Sequence, residues 1–292
     1  MIEQFYTLSG QLLELDQKAM QLCRPEFEKV EATRDYNQLK MLRAFTDNRV
    51  AATHLAGSTG YGYDDAGRDT LDRVFAQVVG AEDALCRPRF LSGTHALAVG
   101  LFGCLRAGDT LLAATGRPYD TLAGVIGIDG AGQGCGSLAE YGVRYDEAPL
   151  LANGQPDLEC ITQKARTAAV CHIQRSRGYA SRPAFSLETI SQVAAAARAA
   201  NPGIIVFVDN CYGEFTQTSE PVSAGANLIV GSLIKNPGGG IAPTGGYIAG
   251  RADLVEKCGH RLTAPGTGRE LGCTLDTLRQ LYLGLYYAPG VT

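Results

Sequence analysis

The sequence predicts an α/β fold, in which a mostly parallel seven-stranded sheet is flanked by helices. Short apolar runs recur along the chain and helical stretches lie between several of them, an order typical of parallel sheets. No internal repeat or low-complexity segment interrupts this alternation. The 292 residues are enough for one large domain with a sizeable core.

The composition is that of a globular protein and excludes several other classes. Hydrophobic residues make up 45% and charged residues 19% of the chain, which excludes a disordered protein. With 26 basic and 30 acidic residues, we expect neither nucleic acid nor a membrane surface as a partner. No apolar run is long enough to span a bilayer, and the N-terminus does not resemble a signal peptide. We therefore expect a cytoplasmic protein.

The nine cysteines are scattered, and neither C-x-x-C nor H-E-x-x-H occurs. This distribution predicts free thiols, many of them buried, and no metal site.

The N-terminal elements follow from local patterns. Residues 1–48 are predicted to form a mainly helical arm without core positions, which packs on the body or on a neighbouring subunit. Residues 49–292 are predicted to form the large domain. Asp69 can cap the next helix, and Gly80 can end it.

The remaining elements alternate. A strand is expected from Arg87 to Leu91, and Ser92 then opens a helix that runs to about Arg106. Further strands are predicted near 110–114, 142–146, 168–173, 204–208, 227–230 and 246–249. The clearest helix begins at Ser186 and ends at Asn201, and a last helical signal covers 269–286.

Lys235 is the first candidate for chemistry. It follows the apolar run 227–230, which is predicted to be a buried strand, and glycines occupy positions 238–240. Ligands of α/β sheets bind at the carboxyl ends of parallel strands. A desolvated lysine has a depressed pKa and can form a Schiff base with an aldehyde. The alternative is a solvated surface lysine.

Asp209 comes directly after the apolar run 204–208. A carboxylate at this position can either cap a following helix or face a cationic ring nitrogen. Pyridoxal phosphate needs a carboxylate partner of the second kind to act as an electron sink.

Ser92, Gly93 and Thr94 lie at a predicted strand–helix junction. Main-chain N–H groups at a helix start, together with hydroxyls, are suited to binding a phosphate. Ser232 could add another hydroxyl. His95 could stack on a ring or could be a buried core histidine, and the sequence leaves this choice open.

In chain order, the phosphate cup, the carboxylate and the lysine resemble the fold-type I pyridoxal-phosphate enzymes. Val208-Asp209-Asn210 followed by Ser232-x-x-Lys235 is similar to the cystathionine gamma-synthase and methionine gamma-lyase group. TGYGYDDAGRDTL, SGTHAL, GRPYDTL, IQRSRGY, VDNCYGEF and GSLIKNPGGG resemble the methionine gamma-lyase-like or aluminium-resistance branch of this group. The resemblance covers about residues 45–292.

The resemblance implies an aspartate aminotransferase-like large domain that binds pyridoxal phosphate. Lys235 would bind the cofactor covalently, and Asp209 would bond to its pyridine nitrogen. Tyr119 would stack on the ring and take part in proton transfer, and Gln174 would lie near the 3-hydroxyl. The phosphate would be held by the cup and a neighbouring hydroxyl, which are Ser92, Gly93, Thr94 and Ser232.

The resemblance also concerns other polar residues. Arg175 and Arg177 are nearby cations for a phosphate or a substrate carboxylate. Tyr61, Tyr63 and Arg68 resemble the segment that reaches the phosphate of a neighbouring subunit, although they depart from the usual Tyr-x-Arg spacing. The resemblance therefore implies a homodimer or homotetramer with shared active sites.

Two departures from the family pattern concern the substrate. Lys235 is followed by Asn-Pro-Gly-Gly-Gly, where the wider group has an aromatic residue and a histidine. Relatives also continue into a small C-terminal domain, which usually carries the arginine that binds the substrate carboxylate. We expect this chain to be truncated before that domain.

The favoured function is a pyridoxal-phosphate-dependent carbon–sulfur lyase that acts on a sulfur amino acid by beta or gamma elimination. Lys235 would be the general base and Tyr119 or Lys235 the acid. The alternatives are transamination, racemisation or retro-aldol cleavage with the same cofactor, or a catalytically silent cofactor-binding protein with a stress or regulatory role.

Overall fold

The computed structural model describes residues 2–292, which form eight α-helices and one seven-stranded sheet. The strands are β1 (Asp83–Arg87), β2 (Thr110–Ala113), β3 (Arg144–Glu147), β4 (Val170–Gln174), β5 (Ile205–Asp209), β6 (Leu228–Ser232) and β7 (Gly246–Gly250). The helices are α1 (Gly10–Asp47), α2 (Ala66–Val79), α3 (Gly93–Cys104), α4 (Asp120–Ile126), α5 (Leu158–Ala165), α6 (Leu187–Ala200), α7 (Ala252–Leu262) and α8 (Leu278–Val291).

The sheet has the strand order β1-β7-β6-β5-β4-β2-β3. Strands β2 to β6 pair in parallel, whereas β7 is antiparallel to both β6 and β1. The predicted α/β fold with a mostly parallel seven-stranded sheet is therefore confirmed. The register places Gln174 opposite Asp209, and Asp209 opposite Val230, so the carboxyl ends of β4, β5 and β6 lie side by side.

Helices cover both faces of the sheet and bury two hydrophobic layers. One layer lies against α2, α5, α6 and α8, and the other lies against α3, α4 and α7. Successive side chains of a strand point to opposite faces, so Val206 belongs to the first layer and Phe207 to the second. Burial on both faces explains why the central strands are apolar along nearly their whole length.

Helix α1 contributes to the core near its end. Met41 and Ala44 are fully buried, so the expectation that residues 1–48 hold no core position is wrong for this part of the helix. Asn37 is also buried and donates hydrogen bonds to the carbonyls of Phe215 and Gln217, both at 3.0 Å. These contacts attach the last turns of α1 to the body.

Two boundaries differ from prediction for local reasons. Asp65, not Asp69, caps α2, because its Oδ1 accepts the main-chain N–H of Arg68 at 2.9 Å. Strand β1 ends at Arg87 instead of beginning there. The next residue is Pro88, which has no N–H for the ladder.

Other boundaries agree with the sequence. Gly80 ends α2 in a left-handed conformation, with φ of 72°. Ser186 caps α6 and Asn201 ends it, as predicted. The last helical signal begins later than expected, at Leu278. Among the helices of residues 2–292, none is both long enough and apolar enough to cross a membrane.

Candidate active site

The residues of the predicted phosphate cup lie at the start of α3. Ser92 has an extended backbone, and its Oγ accepts the main-chain N–H of His95 at 3.0 Å. The first turn of this 12-residue helix presents main-chain N–H groups that can bind an anion. Gly93 lets the helix approach β6 closely, because a Cβ there would lie only 3.3 Å from Cβ of Ser232.

Beside the cup, a cavity of about 330 Å³ opens at the carboxyl ends of β4, β5 and β6. Its lining consists of Tyr119, Gln174, Ser176, Gly178, Tyr179, Asp209, Cys211, Tyr212 and Lys235. The hydroxyl oxygens of Thr94 and Tyr119 lie 3.2 Å apart, so the cup and the cavity are in direct contact. We call this space the main cavity.

Lys235 enters the main cavity from the turn after β6. Its Nζ lies 4.1 Å from the centre of the Tyr212 ring, a cation–π distance. Burial disfavours the ammonium, but the acidic groups of Cys211, Tyr212 and Asp209 together outweigh burial and raise the pKa of Lys235. The expected depressed pKa is therefore wrong for this arrangement.

Asp209 is the last residue of β5, and only 2% of its surface is exposed. Its Oδ1 accepts the main-chain N–H of Cys211 at 3.1 Å. Burial raises the pKa of this carboxyl group. In the described chain, turns and not a helix connect β5 to β6, so Asp209 does not cap a helix.

Tyr119 and Gln174 form one wall. The main-chain N–H of Tyr119 donates to Oε1 of Gln174 at 3.0 Å, and Nε2 of Gln174 donates to the carbonyl of Ser176 at 3.2 Å. Burial, followed by the charge of Asp209, raises the pKa of Tyr119. The phenol is therefore protonated at neutral pH and available as a proton donor.

Ser232 is buried at the end of β6, where its Oγ accepts the main-chain N–H of Ile234 at 3.4 Å. The structure thus groups the start of α3, the buried Asp209, Tyr119 and Lys235 at adjacent strand ends. A profile of the methionine gamma-lyase family matches residues 12–292.

This chain belongs to the methionine gamma-lyase family.

Similar structures confirm the resemblance inferred from the motifs. A Listeria monocytogenes protein, provisionally named a cystathionine beta-lyase involved in aluminium resistance, superposes with a TM-score of 0.93 at 49% identity. The match covers 95% of this chain and 70% of that one. A carbon–sulfur lyase involved in aluminium resistance from Clostridium novyi has a TM-score of 0.92 at 46% identity, over 97% and 68% of the two chains.

A curated relative extends the comparison. Bacillus subtilis YnbB is 45% identical over 265 residues, which are 90% of this chain and 63% of YnbB. A Lactobacillus delbrueckii relative is matched over 57% of its length, so the chain spans about 60% of the curated relatives it matches. The pyridoxal-5'-phosphate-dependent protein YhfS from Escherichia coli has the same fold, with a TM-score of 0.67 at 18% identity.

Arg68, which the resemblance assigns to the segment that reaches a neighbouring subunit's phosphate, is buried within its own chain. Its side chain is 2% exposed, and Nη1 donates to the main-chain carbonyls of Gly62, Glu270 and Gly272. The guanidinium therefore holds two segments of its own chain together. Tyr63 is 59% exposed and does not line the main cavity, so its contact with a neighbouring subunit stays a prediction.

Arg175 is also corrected. It is buried, and its Nη1 lies 2.8 Å from Oδ1 of Asn210 and 3.6 Å from Oε2 of Glu220. These partners occupy the guanidinium, so Arg175 serves the turn after β5 and not a substrate. Arg177 is exposed next to Ser176, a residue of the cavity wall.

Sequence reasoning missed Cys211 and Tyr212. Tyr212 has a φ of 66°, a left-handed conformation that is unusual for a residue other than glycine. This conformation places the ring against Lys235. The only available signal was that both residues directly follow Asp209 and Asn210.

His95 does not line the main cavity but a different one. Its ring centre lies 5.9 Å from that of Phe90, and burial lowers its pKa. In the described part of the chain, no cluster of three His, Cys, Asp or Glu residues could hold a metal.

Proposed function

We propose that this protein is a pyridoxal-phosphate-dependent carbon–sulfur lyase that acts on a sulfur amino acid. The observation that carries the proposal is that Lys235, Asp209 and Tyr119 line one cavity next to the helix start of α3. The carbon–sulfur lyase name of the Clostridium relative supports the reaction class. Because the chain spans only part of its curated relatives, the activity of the whole protein belongs to the proposal.

The residues present fit the cofactor. A buried carboxylate is costly without a compensating partner, and a pyridinium N–H would be such a partner for Asp209. Gly93 carries no side chain, and the main-chain N–H groups of the first turn of α3 are suited to a phosphate. Tyr119 offers a flat ring beside this cup, and Lys235 offers the only lysine amine in the cavity lining given for the described residues.

Each residue then has a defined task. When bound, pyridoxal phosphate supplies an electron sink for the carbanion that proton loss from the alpha carbon leaves. Asp209 holds a proton at the ring nitrogen. Lys235 takes the alpha proton as general base, and the protonated Tyr119 gives a proton to the departing sulfur. Departure from the beta carbon needs only these transfers, whereas departure from the gamma carbon also needs removal of a beta proton, for which Lys235 is the available base.

The test is a product assay. The purified protein, saturated with pyridoxal phosphate, is incubated separately with cysteine, cystathionine and methionine, and thiol or sulfide and the oxo acid are both measured. We expect equal amounts of thiol and oxo acid from at least one substrate. The exposed Lys257 provides a matched control, because Lys257→Ala should behave as the unaltered protein.

The other outcomes separate the alternatives. Oxo acid without thiol would favour transamination, and release of an aldehyde would favour retro-aldol cleavage. Bound cofactor with no product from any substrate would indicate a catalytically silent protein. Absence of cofactor binding would overturn the proposal as a whole.

We also propose that the active protein is a homo-oligomer with shared sites. This is supported by Tyr61 and Tyr63, which are exposed, lie 6.0 Å apart and stand outside the main cavity. Mixing Lys235→Ala with Tyr63→Ala subunits should restore about a quarter of the activity if dimers re-form at random. Tyr141, which is 60% exposed, offers Tyr141→Ala as a control that should be active alone. A fully active monomer in analytical ultracentrifugation would contradict the proposal.

A further inference from the structure

A second cavity, of about 280 Å³, lies on the other side of the start of α3. Tyr61, Arg87, Arg89, His95 and Cys273 contribute to its wall, and none of its lining residues lines the main cavity. Two consecutive residues of α3 therefore have different surroundings. The hydroxyl of Thr94 contacts Tyr119, whereas His95 lines the second cavity.

The second cavity is rich in hydrogen-bond donors and lacks carboxylates. Two arginines line it, and its wall within residues 2–292 contains neither Asp nor Glu. Arg89 is exposed, and its Nη2 lies 3.0 Å from Sγ of Cys273. The charge of Arg89 is thus not balanced by a carboxylate of the wall.

Arg87 adds an unsatisfied donor. Its side chain is 2% exposed, and its Nη1 lies 2.5 Å from Oδ1 of Asp72. Its Nε is buried and has no hydrogen-bond partner among the described residues. A buried donor without a partner costs stability, so a ligand or water near this guanidinium would lower that cost.

His95 supplies a further donor. Its Nδ1 accepts the main-chain N–H of Leu91 at 3.1 Å. In a neutral imidazole with Nδ1 as acceptor, the proton resides on Nε2. The ring is therefore neutral, with an N–H left to donate.

We propose that this second cavity binds a small oxyanion of the phosphate or sulfate class, at a site separate from the main cavity. The guanidinium of Arg89, the unpartnered Nε–H of Arg87 and an imidazole N–H match the acceptor oxygens of such an anion. The volume admits a tetrahedral oxyanion with water, and the wall offers no carboxylate to repel it. The inference does not depend on the proposed lyase activity.

The experiment is a titration of the cofactor-saturated protein with sulfate and with phosphate by isothermal calorimetry. Chloride keeps the ionic strength constant, and saturation with pyridoxal phosphate fills the cup at α3. We expect one saturable site per chain. Arg89→Gln should weaken it about tenfold or more, because a charge-assisted hydrogen bond is lost, and Arg89→Lys should retain part of the affinity.

The control is Arg279→Gln, which removes an exposed cation outside both cavities and should bind the anion unchanged. Equal binding by Arg89→Gln and the unaltered protein would overturn the proposal. Binding that disappears on cofactor saturation would also overturn it, because the anion would then occupy the cup. Crystals soaked in selenate give an independent check, with the anion expected beside Arg89 and not at Ser92.

Discussion

Two groups of charged residues in this molecule differ in whether their charges are paired with one another. In the first, both carboxylate oxygens of Asp72 are paired, Oδ1 with Arg87 at 2.5 Å and Oδ2 with Arg269 at 3.1 Å. In the second, Asp209 and Lys235 line the main cavity, where Nζ contacts a tyrosine ring instead of a carboxylate. In the first group the carboxylate is paired through both oxygens, whereas the second group leaves a carboxylate and an amine available to a ligand.

The difference has a physical consequence. A paired buried cluster contributes mainly to the folded state, and removing one partner leaves an uncompensated charge. An open group costs stability and is retained where its charges act on a ligand. Substitutions in the two groups should therefore affect different measurements.

The largest effect is expected at Lys235. Lys235→Ala removes the proposed base and should lower kcat about 10³-fold, within the range found for general acid–base groups. The unfolding midpoint should change little, because the side chain is only half-buried. Borohydride reduction of the cofactor-loaded protein, followed by peptide mapping, should place the pyridoxyl group on Lys235. A label on Lys164 or Lys257 would contradict the assignment.

The closed cluster should respond in stability. Asp72→Asn leaves the guanidiniums of Arg87 and Arg269 without their shared carboxylate, and should lower the free energy of unfolding by about 3–5 kcal/mol. Denaturant titration measures this loss, and KM below the transition should be unchanged. Asp253→Asn, in an exposed ion pair with Arg251, is the control and should cost less than about 1 kcal/mol. A loss of turnover in the folded Asp72→Asn protein would contradict the claim that the paired cluster contributes only to stability.

Asp209→Asn should reduce turnover less than Lys235→Ala does. The amide Oδ1 can still accept the N–H of Cys211, so the fold should be intact, but an amide cannot hold a proton at the ring nitrogen. Turnover at saturating cofactor should fall about 100-fold, as for the loss of one charge-assisted contact in the transition state. Near-normal rates in steady-state assays would rule out the proposed role.

The predictable parts of the site are those that follow strand ends. Lys235, Asp209 and Gln174 could be predicted to converge, because apolar runs locate strands and parallel pairing aligns their carboxyl ends. The ring of Tyr212 could not be placed, since its left-handed backbone is a property of the folded turn. The pairing of Arg175 could not be predicted for a related reason. Its partner Glu220 lies 45 residues further on, and no local sequence pattern indicates a contact between them.

The smallest effect is expected at Glu214, a buried acid that feels the charge of Asp209. Its Oε1 accepts the hydroxyl of Tyr247 at 2.6 Å, and its Oε2 has no partner within residues 2–292. Burial raises its pKa from 4.5 to about 8. Between these pH values the folded state holds a proton that the unfolded chain has lost. The contribution of Glu214 to stability therefore falls as pH rises through this window and is constant above it.

Glu214→Gln cannot titrate, so its stability relative to the unaltered protein should increase from pH 5 to pH 8, by at most about 1.4 kcal/mol per pH unit. Denaturant titrations at pH 5, 6.5 and 8 measure the free energy of unfolding of both proteins. The contributions of the other titrating groups cancel in the difference between them. Glu256→Gln, at an exposed site on α7, should show no comparable trend. A difference for Glu214→Gln that is constant with pH would mean that Glu214 is already ionised in the folded protein. An ionised Glu214 would need a cation within reach. The charges of Asp209 and Lys235 would then be less available to a ligand than their geometry indicates.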